Sequence, residues 1–254
     1  GMAYAEHRLT MKSDDSREET SVAAARVFLP FDSHLSAEEI STSANLSRYS
    51  FVWGAHVDHV QAYRSNPHNP SIKLSRYIPY NRFGIPQGVN TTAQTPFEYW
   101  NASAHFDWLL YECDRKTPVS WGDSAKAKQL AVVDMSNPEV VEHQLKLYGQ
   151  STADQGYDGL ACDNVHLTNV RNQCGVWRKG KSPNSREWVQ LYTPSRSHRD
   201  DAWASAVVTW AQKLGAGLSK IRSKAGRPLD MVPNFSVESS GGWDDPHTLA
   251  LMNA

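Results

Sequence analysis

No run of about eighteen apolar residues occurs anywhere in the chain, so no membrane-spanning helix is readable. The formal net charge is -1, which provides no excess of either sign to favour nucleic acid or an anionic membrane as a partner. There is no Gly-rich phosphate loop and no serine nucleophile elbow, which disfavours nucleotide and acyl-transfer chemistry. No repeat at a solenoid period is present. Cysteine is scarce: Cys113, Cys162 and Cys174 lack metal-ligand spacing and read as buried or loop thiols, with a Cys113–Cys174 disulfide as the alternative. The polar stretch from Gly1 to Glu19 lacks the apolar centre of a signal peptide. Gly1-Met2 reads as a cloning scar or a clipped end, which leaves the compartment, secretion included, open.

What is present suits one large α/β domain. Hydrophobic residues make up 40% of the chain and charged residues 21%, enough apolar side chain to bury a sizeable core. Nine Trp and ten Tyr add rings that either fill that core or stack on sugar faces. Residues 1–25 read as a mobile lead-in, and residues 26–254 as a single domain.

Short apolar runs at 27–32, 49–56, 74–81, 157–164 and 229–234 read as buried strands. Helix signals stand between them. Ser36-Ala37-Glu38-Glu39 is a capping box. Asn137-Pro138-Glu139 supplies an N-cap, a proline at the first helical position and an acid facing the dipole. From about Asp200 to Lys224, Trp203, Val207, Trp210, Leu214, Leu218 and Ile221 form one apolar stripe, ended by Gly226 and Pro228. Ala131 to Met135 is a brief strand-like run, and 82–130 reads as a long aromatic-rich irregular stretch. The segment 165–199 reads as a loop. Its seven Lys and Arg against one acid, Glu187, suit a solvated face or, as the lesser reading, an acidic sugar. This alternation predicts a parallel (β/α)8 TIM-type barrel, truncated after about five strand–helix units.

In such barrels the chemistry sits where the strands end. Asp163 follows a buried run and projects into the mouth, where a half-shielded carboxylate can attack or stabilise an anomeric carbon, or activate a water. Asp32, His56, Asn81, Asn164 and Asn234 at the other strand ends, with Trp53 and Tyr80 beside them, are the substrate-binding candidates. Glu238, in the loop after the fifth strand, is the candidate acid or base. His56 and His59 are the only hint of metal ligation, and without a third ligand of matching spacing no metal is expected. No cofactor is expected either. The Asn-x-Ser/Thr triplets at Asn45, Asn90, Asn101 and Asn234 carry no weight without a known source.

Three segments carry a family resemblance. Val133-Asp134-Met135-Ser136-Asn137-Pro138-Glu139-Val140 and Gly156-Tyr157-Asp158-Gly159-Leu160-Ala161-Cys162-Asp163-Asn164-Val165 resemble a paired motif of barrel glycoside hydrolases, and Phe106-Asp107-Trp108-Leu109-Leu110 resembles the segment before it. The nearest likeness is to a group described as hypothetical glycosyl hydrolases, family 15 in that naming. That group is distantly similar to α-galactosidase-like and endo-α-galactosaminidase-like barrels. The resemblance implies a carbohydrate substrate cleaved by two carboxylates, with Asp163 as nucleophile or base and Asp134 structural. Its second carboxylate belongs to the sixth strand or later, which a five-strand chain lacks. Two other functions stand beside it. One is a non-catalytic carbohydrate-binding barrel, or inactive fragment, using the aromatics of 83–121 as a stacking surface. The other is a metal-dependent hydrolase built on His56 and His59. Oligomeric state, sugar and linkage are not legible.

Overall fold

The computed structural model describes residues 27–89, 94–121, 130–182, 184–195, 200–235, 242 and 244–254. The lead-in expected over 1–25 and the candidate Glu238 lie outside the described residues. In chain order the strands are β1 (Val27–Pro30), β2 (Tyr49–Trp53), β3 (Lys73–Pro79), β4 (Arg82–Phe83), β5 (Tyr111–Glu112), β6 (Ala131–Val132), β7 (Gly159–Asp163), β8 (Gln173–Lys179), β9 (Arg186–Gln190) and β10 (Asp230–Pro233). The α-helices are α1 (Ala37–Thr42), α2 (Val60–Ser65), α3 (Pro96–Ala102), α4 (Pro138–Gln144), α5 (Gln150–Asp154), α6 (Asp201–Leu218) and α7 (Pro246–Met252).

The five strands expected to form the core do so. They pair in parallel in the order β1-β2-β3-β7-β10, each joined to the next through helix. The result is a half-barrel, and a closed eight-strand barrel is not formed among the described residues. Its curl is visible in one bond: Trp53 on β2 donates its indole N–H to the Val232 carbonyl of β10 at 3.0 Å. Those strands lie three steps apart, about 14 Å along a flat sheet at the usual strand spacing. Only a sheet bent around its concave face lets one side chain span that gap.

The two-residue period sorts the side chains. Leu29, Val52 and Leu74 point outward and bury with Ile40, Val60 and Tyr63 of α1 and α2. Ile78, Leu160 and Cys162 point outward against Trp203, Val207, Trp210 and Leu214 of α6. The alternate residues, Trp53, Tyr77, Asp163, Val232 and the following Asn234, therefore share the concave face.

The expected caps are in place. Ser36 accepts from the Glu39 N–H while Glu39 accepts from the Ser36 N–H. Asn137 accepts from the Glu139 N–H at 3.0 Å. One π turn, Leu145–Gly149, joins α4 to α5. Helix α6 ends at Leu218, short of Lys224, because Gly215 and Gly217 weaken its last turns. Gly217 also lets Leu145 pack against the helix, since a Cβ there would strike the leucine side chain.

The structure departs from the sequence reading between the core strands. The brief strand-like run at 131–135 narrows to β6, which pairs antiparallel with β4 outside the core sheet. Segment 165–199 is not a loop but carries β8 and β9, which extend an antiparallel sheet from β5. Cross-strand pairs Trp177–Trp188 and Arg178–Glu187 supply its side-chain contacts. Charges on its wet face hid the strand alternation. Cys113 and Cys174 are joined by a disulfide that fastens this sheet, and Cys162 is a buried free thiol. The aromatics of 83–121 are no open stacking surface. Phe83, Trp100, Trp108 and Tyr111 bury with Val133 and Val140 in a core of their own.

Candidate active site

Gly159 opens β7 with no side chain because the Asp230 backbone of β10 lies where a Cβ would stand. The run Leu160-Ala161-Cys162 is fully buried, and Asp163 is the first residue of β7 to reach solvent. Three neutral donors hold its carboxylate. The Tyr77 phenol donates to Oδ2 at 3.0 Å from β3. The Asn164 amide donates to the same oxygen at 2.8 Å. The Asn234 amide donates to Oδ1 at 3.0 Å from the end of β10.

Each donor is placed by backbone. Asn164 sits at φ 59°, a left-handed conformation that asparagine tolerates better than most residues, and this turns its amide back onto Asp163. Asn234 is clamped by its own N–H to the Cys162 carbonyl and by the Val165 N–H to its carbonyl. Burial, then the charge of Asp163 and the bond to it, push the Tyr77 phenol up to about 12, so it stays a donor throughout the neutral range. Beneath the site, burial and then the Asp163 charge raise the Cys162 thiol and leave it inert.

An aromatic ledge flanks the carboxylate. Phe31 packs edge-on to Trp53 at 4.9 Å and lies 5.8 Å from Tyr77, with Trp53 and Tyr77 6.1 Å apart. Phe31 and Tyr77 remain 43% and 40% exposed, so their rings are open to a ligand in the mouth. Phe31 adopts φ 45°, a strained position for a bulky side chain. Gly54, at φ 76°, makes room for it: a Cβ there would press on the Phe31 ring.

The remaining candidates lie elsewhere. Asp32 is buried, accepting from the His56 N–H at 2.9 Å, with His59 Nδ1 3.1 Å from its other oxygen. Burial, followed by the charge of Asp32, raises the Tyr63 phenol beside them. The His56 ring is exposed and 3.5 Å from Asp58. Among the described residues no group of three or more His, Cys, Asp or Glu side chains converges as a cation site. Tyr80 is buried edge-on to Trp210, and the buried Asn81 amide faces Gln173 at 3.4 Å. Asp134 is buried, accepting from Ser136 and from the Tyr192 phenol at 2.7 Å, which is a structural role.

Asp163, Asn164, Asn234 and Trp53 thus meet in one place, Asp32 and His56 form a second cluster, and Tyr80 and Asn81 lie beneath. Tyr77 and Phe31 were not foreseen. Tyr77 was open to the period-two argument, because it alternates with the outward Leu74 and Ile78.

No family model matches the chain, and no curated protein matches it in sequence. Among solved structures it is similar to the glycoside hydrolase domain of PelA from Pseudomonas aeruginosa, at 13% identity and a TM-score of 0.41. The likeness covers 84% of this chain and 60% of that one, so the chain spans less than two thirds of the length of its structural neighbour. The resemblance to the family 15 group therefore rests on its motifs alone.

Proposed function

We propose that the chain is the substrate-facing part of a glycoside hydrolase, with Asp163 as the carboxylate that attacks or stabilises the anomeric carbon or activates a water. One observation carries this reading: a half-buried carboxylate at a strand end, oriented by three neutral donors from β3, β7 and β10. Neutral donors fix its position without cancelling its charge, which suits a group that must face a developing oxocarbenium ion. Phe31 and Tyr77, backed by the buried Trp53, supply apolar faces for sugar rings, and Asn164 and Asn234 have amide capacity for hydroxyls. Glu238, four residues beyond Asn234, is assigned the proton-transfer role. The family 15 likeness agrees with Asp163 as the reacting carboxylate.

The test is Asp163→Asn in the full-length protein, assayed on a panel of oligosaccharides. It should lose hydrolysis by about a hundredfold or more while its circular dichroism is unchanged. Undiminished hydrolysis would remove Asp163 from the chemistry. A non-catalytic binding barrel is the second reading, favoured by the fact that both Asp163 oxygens are already engaged. It predicts that the parent binds an oligosaccharide it never cleaves.

A further inference from the structure

Beside Asp163 stands a cluster of donors that the hydrolytic reading does not use. Arg82, immediately after β3 and Asn81, is only 9% exposed. Among the described residues its guanidinium makes no hydrogen bond and no ion pair, and its buried Nε has no partner. It lies 4.8 Å from the centroid of the Trp121 ring. Arg171, from the loop after β7, lies 5.0 Å from the same centroid, also without a carboxylate partner among the described residues. His166 stacks on that ring at 5.5 Å, and both its Nδ1 and the Trp121 Nε1 are buried and unpartnered.

Two guanidiniums converging on one indole repel each other, and burying one without a counter-ion is costly. Burial lowers the Arg82 pKa, and the charge of Asp163 is one of the opposing influences. Asp163 is the opposite charge that acts on it, but the Asp163 oxygens accept from Tyr77, Asn164 and Asn234 and form no ion pair with Arg82 among the described residues. Around this ring the described groups are rich in donors and poor in acceptors. That is the complement of a planar oxyanion, which guanidinium forks grip through paired N–H groups.

We propose that Arg82, Trp121, Arg171 and His166 form a subsite for a carboxylate carried by the saccharide, which makes the substrate an acidic, uronic-acid-type glycan. The proposal rests on reading Asp163 as the carboxylate of a saccharide site. Arg82 follows β3, and His166 and Arg171 follow β7, the two strands that carry Tyr77 and Asp163, so the charged sugar is assigned to the subsite at or adjoining the reacting bond. Arg82 is a binding residue in this arrangement, and the buried Trp121 indole holds the two guanidiniums beside each other.

The experiment is calorimetric titration of Asp163→Asn full-length protein with oligogalacturonate, oligoglucuronate and oligomannuronate. Their methyl esters serve as neutral partners of identical backbone. At least one acid should bind about tenfold or more tighter than its ester, and more weakly as salt is raised. Adding Arg82→Gln should erase that preference. Arg171→Gln, an exposed position that leaves the core untouched, should weaken it as well. Equal binding of acid and ester, with both arginine variants indistinguishable from the parent, overturns the anionic subsite while sparing the carbohydrate reading. Binding of none of the six overturns both. Free glucuronate and inorganic sulfate distinguish the source of the anion: binding of sulfate alone, lost in Arg82→Gln, overturns the sugar assignment.

Discussion

Tyr77 and Asp163 are joined across two neighbouring strands, the phenol of β3 donating to the carboxylate of β7 at 3.0 Å. Tyr77 pairs in register with Ala161, two residues before Asp163, so the contact runs along the diagonal of the concave face. Tyr77→Phe deletes that donor and little else. A hydrogen bond to a charged group contributes about 1.5–3 kcal/mol, so under the proposed hydrolase function kcat/KM should fall about ten- to hundredfold. The melting midpoint should stay near that of the parent. Full activity in the variant would mean that Tyr77 merely lines the mouth.

Gly159 couples the fold to the site. A methyl group at this position meets the backbone of Asp230, which cannot swing aside as a side chain could. Gly159→Ala should therefore cost about 1–3 kcal/mol in urea denaturation and displace β10. Asn234 should leave Asp163 with it, so catalytic loss should exceed the small change in composition. A variant as stable and as active as the parent would show that β10 yields freely.

Asp158 governs acid stability. Burial alone raises its carboxyl, but hydrogen bonds from Arg64, the Leu74 N–H and Arg227 outweigh that and hold it below the ordinary range. The unfolded chain thus takes up the proton more readily than the folded one. Its stabilisation is complete above the unfolded value of about 3.9 and drains as pH falls through the lower folded value. Asp158→Asn should flatten the decline in urea midpoint below about pH 4. At neutral pH, Asp158→Ala should cost about 3 kcal/mol, the low end for a buried pair because both guanidiniums are partly in water. An unaltered acid slope would place the sensitivity in another carboxylate.

The Cys113–Cys174 bond closes a loop with a sequence separation of 61. Chain-entropy arguments give such a bridge about 4 kcal/mol as an upper figure, and about 2–4 is typical. Replacing both cysteines with serine should lower the melting midpoint by several degrees, read by calorimetry, with the β5-β8-β9 sheet loosening first. Addition of reductant should reproduce the shift in the parent and leave the double variant unmoved. Identical midpoints would assign the stability of this sheet to its cross-strand side-chain pairs, Trp177–Trp188 among them.

Local signals settled the elements whose causes are local. Ser36, Asn137 and Asp200 announce helix starts because each satisfies amides within three residues. The buried runs announce the five core strands because the apolar stretches are short and bounded, and Asp163 stood out because one such run ends on it. The β5-β8-β9 sheet stayed hidden because β5 lies some sixty residues before β8 and because charges on the wet face of the β8–β9 hairpin mask its alternation. Asp32 looked like an open strand-end carboxylate, yet it is sealed by His56 and His59. Tyr80 and Asn81 sit at a strand end but face the core, since the strand stops at Pro79 and the chain turns there.

The amino-acid sequence by itself determined the parallel strand–helix alternation, the helix starts and the strand end that carries Asp163, because each depends on burial and hydrogen bonding within a few residues. Only the tertiary structure decided which donors hold that carboxylate, which aromatics stay open, which cysteines pair and that Arg82 stands beside Trp121 with no ion pair among the described residues. Those relations join residues brought together by the curl of the sheet and by its insertions, and no local pattern encodes the distance between them.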